Sequence, residues 1–306
     1  MMLQSNVIYY CMKNFLHQTF KEYFSHNPFS LAAALSFYSL IAFPSFVILL
    51  VFLSAISASQ NALSPQIYSQ IENFFGKNAR DLLSQIFQNL PPLRELKFVS
   101  IVTFFAFLFG GLGFFEQLQN SFHSLWSITL KKKQGVKGYI RNQLFLLGAM
   151  ISCGALFIAS ATTEILFLQL SNFFSHINFL QKFLPIIGFL LGIFLMMMVF
   201  TFLYKFLTQA NIEWKEALFG ASITTILFTL GKYISVLLLS RNATLSSYGA
   251  ASTIVIFLLF VYYSSQALFI GAIATKIHAK NNGRKIRPNK NAVNTESIWN
   301  QLIRRV

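Results

Sequence analysis

Charge is what this chain lacks. Only 11% of its 306 residues are charged, and acids are scarcest, with nine Asp and Glu against 24 Lys and Arg. Soluble domains carry roughly 25% charged residues. With 55% of the chain hydrophobic, there is too little polar surface to cover a water-soluble core. The five histidines, His17, His26, His123, His176 and His278, are widely separated, none in an H-x-H or H-x-x-E arrangement, and no D-x-D occurs. Metal-dependent phosphodiester hydrolysis needs clustered ligands of that kind and is not expected. No P-loop, nucleophile triad or Cys–His metal site is present, so neither a cofactor nor an enzymatic activity is expected. The two cysteines, Cys11 and Cys153, fall in a terminal segment and an apolar run, and no disulfide is expected. Residues 1–29 hold Lys13, Lys21 and Glu22 and no apolar core, so no cleavable signal peptide is expected either.

What the chain has is long apolar runs. Ser30–Leu53 holds no charged residue over 24 positions, enough for a helix to cross a hydrocarbon core of roughly 30 Å. Five more runs lie at about 98–121, 143–170, 183–206, 216–239 and 250–275. The expected fold is all-α: a polytopic membrane protein with six transmembrane helices in a domain at 30–275, plus amphipathic interfacial helices. Before it, residues 6–26 place Ile8, Met12, Phe15, Leu16, Thr19, Phe20 and Tyr23 near one helical face. This predicts a helix lying along the membrane surface, ended by Asn27-Pro28. The bland alternative is a helix packed on loops. Residues 54–97 read as an external insertion with two short amphipathic helices, the second ended by Pro91-Pro92.

Orientation follows from the cations. With the N-terminus inside, 17 of the 24 Lys and Arg fall on the inner side and six on the outer, with Lys232 within a span. Both termini are therefore expected in the cytoplasm. The net charge of +15 reads as loops facing anionic lipid rather than as a nucleic-acid surface. The tail, 276–306, gathers Lys276, Lys280, Arg284, Lys285, Arg287 and Lys290, a cluster that attracts anionic lipid. Gly283 and Pro288 exclude a long helix there, and Trp299, Leu302, Ile303 and Val306 suggest a short interfacial one. Expected partners are membrane lipids, with anionic lipid at the tail. A homo-oligomer is compatible with the sequence; nucleic acid is not expected.

Intramembrane ionisable residues are costly and face a bundle interior or a wet cavity. Glu116, Glu164 and Lys232 qualify. Glu164 and Lys232 both fall in the outer part of the membrane, where they form either a polar gate or a static ion pair. Glu116, close to Gln117, Gln119, Asn120 and His123, marks a polar cytoplasmic mouth or a solvated interface. Tyr248 lies at the small, polar entrance to the last span, and Tyr262, Tyr263, Ser264 and Gln266 lie within it, bonded to neighbouring helices or lining a cavity. Pro44 cannot donate to the carbonyl of Leu40 and predicts a kink. Gly110, Gly111 and Gly113, like Gly188 and Gly192, permit close helix approach or a hinge.

Four stretches then resemble one family. ALSFYSLIAFPSFVILL at 34–50, LQNSFHSLWSI at 118–128, FLYKFLTQANIEWKEALFGA at 202–221 and YGAASTIVIFLLFVYYSSQALFIGA at 248–272 are similar, in order, to segments of the YihY/BrkB family of bacterial inner-membrane proteins. The chain departs from it at His123, where Asn is usual, at Thr208 or Gln209, which replaces a loop proline, at Phe260 for Trp and at Ile273 for Glu. The resemblance implies six transmembrane helices, a bacterial cytoplasmic membrane and no assigned activity. The family has carried a ribonuclease BN label, which the scattered histidines do not support. Two readings follow: a translocator of lipid or another amphiphilic envelope molecule, or a non-transporting scaffold that supports the envelope.

Overall fold

The apolar runs fold as long helices because a helix satisfies its own backbone polar groups where no water is available to do so. The computed structural model describes residues 2–57, 80, 84, 96–130, 135–174, 177–241, 250–284, 286–289 and 292–294. In chain order the helices are α1 (Met2–Phe24), α2 (Pro28–Ser57), α3 (Leu96–Leu125), α4 (Val136–Phe173), α5 (Asn178–Phe202), α6 (Trp214–Arg241) and α7 (Ala250–Asn281). A π turn, Leu203–Leu207, extends α5. Among the described residues four short strands accompany them: β1 (Ile128–Leu130), β2 (Ala210–Asn211), β3 (Arg287–Pro288) and β4 (Ala292–Asn294).

Four stretches are long and apolar enough to cross a membrane among the described residues: Val136–Ser160, Phe179–Leu207, Trp214–Ile234 and Phe257–Asn281. The 30-residue helices α2 and α3 cover the other two apolar runs. On α4, Leu144, Ile151 and Ile158 recur every seventh residue and are all exposed. In water such a stripe would be a large apolar patch; against acyl chains it is a solvated face. The all-α membrane architecture thus agrees with the sequence. Most of the 54–97 insertion, the position of Tyr248 and the end of the tail lie outside the described residues. Helix α2 runs through residue 44 without interruption.

The α1–α2 corner is set locally. Asn27 takes a left-handed conformation, φ 49°, which Asn tolerates better than most residues. Pro28 opens α2, where its missing N–H removes a donor that had no helical partner.

Backbone contacts divide the chain into two units. The first holds Met1–Phe29, Leu118–Leu227 and Gln266–Val306. Within it α4 lies against α5: a Cβ on Gly188 would stand 2.5 Å from the Cβ of Phe167, and the Ser160 hydroxyl donates to the Gly192 carbonyl at 2.9 Å. The crossing of α6 and α7 is tighter still. A Cβ on Gly220 would lie 1.9 Å from Thr275 Oγ1, and one on Gly271 would lie 1.9 Å from Thr224 Oγ1. The two strand pairs, β1 with β4 and β2 with β3, are antiparallel and draw the start of the basic tail onto the loops after α3 and α5.

The second unit holds Ser30–Gln117 and Phe228–Ser265. Here Gly110 brings α3 against α2, since an added Cβ would be 2.9 Å from the Ala42 Cα. One turn on, Gly113 leaves room for the Tyr38 ring, 3.0 Å from where a Cβ would sit. Gly111 is buried beside them. Gly231 on α6 accommodates the ring of Tyr263 on α7 in the same way.

Candidate functional site

Helix termini create the chemistry of the first unit. The last carbonyls of a helix have no internal partner and need one from elsewhere. At the end of α3 the Leu125 carbonyl accepts from the Lys276 ammonium at 3.0 Å. The same ammonium holds Glu22 of α1 at 2.6 Å, so one cation ties α1, α3 and α7 together. Burial alone would raise the Glu22 carboxyl; the bond and charge of Lys276, with His26 and Lys280, outweigh it and hold the group below its ordinary value. The Trp126 indole N–H, stacked on Phe122 with ring centroids 5.8 Å apart, donates to the Ala272 carbonyl at 2.9 Å.

At the end of α5 the chain widens into the π turn, a rare geometry associated with functional sites. It buries Leu203, Tyr204 and Leu207. The Tyr204 hydroxyl lies 2.5 Å from Thr224 Oγ1 on α6 and donates to the Leu268 carbonyl on α7 at 2.8 Å. Three helices therefore meet at one phenol. The turn's own carbonyls are met by side chains: Thr208 Oγ1 donates to Tyr204 O at 2.9 Å, and Gln119 Nε2 on α3 donates to Leu207 O at 2.7 Å.

From Gln119 a chain of amides begins. Asn142 on α4 donates to Gln119 Oε1 at 3.2 Å, and Gln209 donates to Asn142 Oδ1 at 3.2 Å. The chain then stops: Gln209 Oε1 is buried with no partner among the described residues. His123 sits beside it and accepts the Gln209 backbone N–H at 3.4 Å on Nε2. Burial lowers its pKa to about 4, which keeps the ring neutral and so leaves one nitrogen free to accept. Within the π turn, Lys205 donates to the Ile212 carbonyl and lies 5.5 Å from the Trp214 ring centroid. This unsatisfied end, at the junction of α3, α4 and the π turn, is the candidate site. It can receive a donor or a cationic head group.

Two further buried atoms of this unit have no partner among the described residues, Glu216 Oε2 and Gln266 Nε2. Glu216 opens α6 and receives Arg284 at 2.7 Å, while the same guanidinium nitrogen holds Glu213 at 2.6 Å. Arg284 is placed there by the end of α7. Gly283, φ 72°, turns the chain so that Arg284 N–H reaches Ala279 O at 2.8 Å and Gly283 N–H reaches Lys280 O at 3.1 Å. This is a Schellman ending.

The residues singled out in the sequence are distributed over both units. Gln266 accepts a bond from the Tyr23 hydroxyl on α1. Ser264 donates to Phe260 O in its own helix at 2.7 Å. Tyr262 is half-buried, and Tyr263 packs on Gly231. Glu116 and Lys232, both in the second unit, are half-buried and engaged. The side chain of Glu164 lies outside the described residues, as do those of Pro44 and Tyr248. Gln119, Asn142, Gln209 and Tyr204 were not all anticipated. The sequence places Gln119 and His123 beside Glu116 and sets His123 and Gln209 apart as departures from the family, but nothing in a linear reading joins positions 119, 142 and 209.

Two of the stretches that carry the family resemblance, 118–128 and 202–221, meet at this site, and the end of the fourth, around Leu268 and Ala272, lies against them. A profile of the family described as "Virulence factor BrkB" matches residues 19–296. A UPF0761 membrane protein of Haemophilus influenzae (strain 86-028NP) is 23% identical over 263 residues, 85% of this chain and 93% of the relative. A second, from Kangiella koreensis, is 23% identical over 265 residues, 86% of this chain; the match spans 63% of that longer relative. A third, from Glaesserella parasuis serovar 5, is 22% identical over 208 residues, covering 67% of this chain and 70% of the relative. No solved structure matches. An integral membrane protein by its helices and by these relatives, the chain belongs to the BrkB family.

Proposed function

We propose that this protein translocates a lipid or another amphiphilic envelope molecule in the bacterial inner membrane, and that it is not an enzyme. The observation that carries the reading is the unpartnered Gln209 Oε1 at the end of the Gln119–Asn142–Gln209 chain. A buried acceptor left unmade costs about 1–3 kcal/mol, and a donor on a bound head group would recover it. Exposed apolar side chains such as Phe145, three residues from Asn142 on the same helix, offer a path for acyl chains beside a polar head held at the amides. The reading takes the chain as crossing six times with both termini in the cytoplasm, which puts the site at the cytoplasmic side. Anionic lipid at the basic tail and a homo-oligomer belong to the same proposal; nucleic acid does not.

The test is purified protein in phosphatidylethanolamine–phosphatidylglycerol vesicles, read by dithionite access to a fluorescent head-group lipid and by flux of a solute panel. Wild type accelerates transfer, and Gln209→Ala slows it about tenfold, equivalent to about 1.4 kcal/mol. Absence of any acceleration over empty vesicles overturns the reading.

The scaffold reading is favoured by a different observation: the tight α6–α7 crossing, with hydroxyls such as Ser264 returned to their own helix. It requires that well-expressed Gln209→Ala, Glu164→Ala and Lys232→Ala all support a normal envelope.

A further inference from the structure

The apolar face that the sequence assigns to α1 is split in two by the fold. Phe15, Thr19 and Tyr23 turn inward. Phe15 meets Phe219 of α6 edge to face at 5.6 Å, Thr19 and Tyr23 are each only 5% exposed, and Tyr23 bonds Gln266. The adjoining stripe, Leu16, Phe20 and Phe24 at i, i+4 and i+8, is 48%, 52% and 57% exposed. Apolar side chains of this size are favoured out of water, so a leucine and two phenylalanines left open in one line call for an occupant.

We propose that this stripe is seated in the lipid bilayer at the head-group–acyl boundary, making α1 an interfacial helix with one apolar half on the protein and the other in lipid. Three observations name lipid as the occupant. The stripe continues directly into an apolar span: the Phe24 ring lies 5.9 Å from that of Phe29, itself 52% exposed in the first turn of α2. The stripe is bordered by the exposed Lys13 and Lys21, whose long stems reach outward to anionic head groups. The helix is pinned against lifting by the Glu22–Lys276 pair and by Tyr23 on its inner side. A helix along the membrane plane carrying Lys on its polar face has this form.

The experiment uses the full chain with Cys11 and Cys153 replaced by Ser, one cysteine introduced at a time, labelled with an environment-sensitive fluorophore and reconstituted in phosphatidylethanolamine–phosphatidylglycerol vesicles. Labels at Phe20→Cys and Leu16→Cys should emit blue-shifted and be quenched by shallow doxyl-labelled lipid, at least threefold more than labels at Asn14→Cys and Gln18→Cys, which iodide should quench instead. Lys13→Glu with Lys21→Glu should reduce the lipid quenching at 20 and make it sensitive to salt. Equal lipid quenching at 18 and 20 overturns the proposal. So does efficient disulfide cross-linking between copies through Phe20→Cys with lipid quenching absent, which would make the stripe a dimer interface. The result is independent of whether any lipid is translocated.

Discussion

The α6–α7 crossing gives the sharpest quantitative expectation, through Gly271→Ala. A methyl at 271 would lie 1.9 Å from Thr224 Oγ1, 2.5 Å from the Tyr204 hydroxyl and 2.8 Å from the Gly220 carbonyl. The first two atoms belong to fully buried side chains and the third to backbone, so no flexible chain end can swing away. Overpacking of this kind costs about 1–3 kcal/mol. Pushing Tyr204 off Thr224 and Leu268 leaves its hydroxyl buried and unbonded, about 1–3 kcal/mol more. The gain in helix propensity from Gly to Ala returns about 1 kcal/mol. The net expectation is a loss of about 3 kcal/mol, a fall in thermal midpoint of roughly 6–12 °C. Circular dichroism melts of purified protein in one mild detergent measure it. Gly148→Ala is the control, because nothing lies within 4 Å of its added methyl, and its midpoint should not fall. Thr224→Ala removes the closest clashing atom, so the double variant should lose less than the sum of the singles. Equal midpoints for Gly271→Ala and Gly148→Ala would refute the reasoning.

Two further outcomes follow from the helix ends. Gly283→Ala meets no neighbour within 4 Å but must hold φ 72°, so it should lose about 1–2 kcal/mol, with Gly283→Asn losing less; the same melts compare them. For Glu22, whose folded pKa lies below the ordinary 4.5, the sign is that of a depressed acid: its stabilisation is fully present above about 4.5 and is lost as pH falls through the lower folded value. Melts taken from pH 6 downward should show wild type losing midpoint in that window, and Glu22→Gln losing less.

The positions of the helices were legible because lipid imposes a length and an apolarity on any span, and both can be counted along the chain. The corner at Asn27-Pro28 was legible for a local reason; the end of α7 was not, because the apolar run stops at about 275 while the helix continues to Asn281. Helix α1 was legible as amphipathic, yet its apolar face spans Phe15 and Leu16 alike. Periodicity cannot say that the Phe15 side meets Phe219 while the Leu16 side stays open. The α6–α7 crossing does leave a trace in the chain: Gly220 and Thr224 on one helix, and Ala267, Gly271 and Thr275 on the other, are small residues at four-residue spacing.

The sequence alone determined that this is a helical membrane protein, where its apolar helices run and which family it resembles. Those properties come from sums over contiguous residues. Tertiary structure alone decided that Gln119, Asn142 and Gln209 share one chain of hydrogen bonds, that Tyr204 joins three helices from a π turn, and that the tail pairs with the loops after α3 and α5. Each depends on which remote carbonyl or amide a helix end finds when it packs. A bond between residues 88 apart, such as that of Gln119 with Leu207, leaves no periodic trace in the chain.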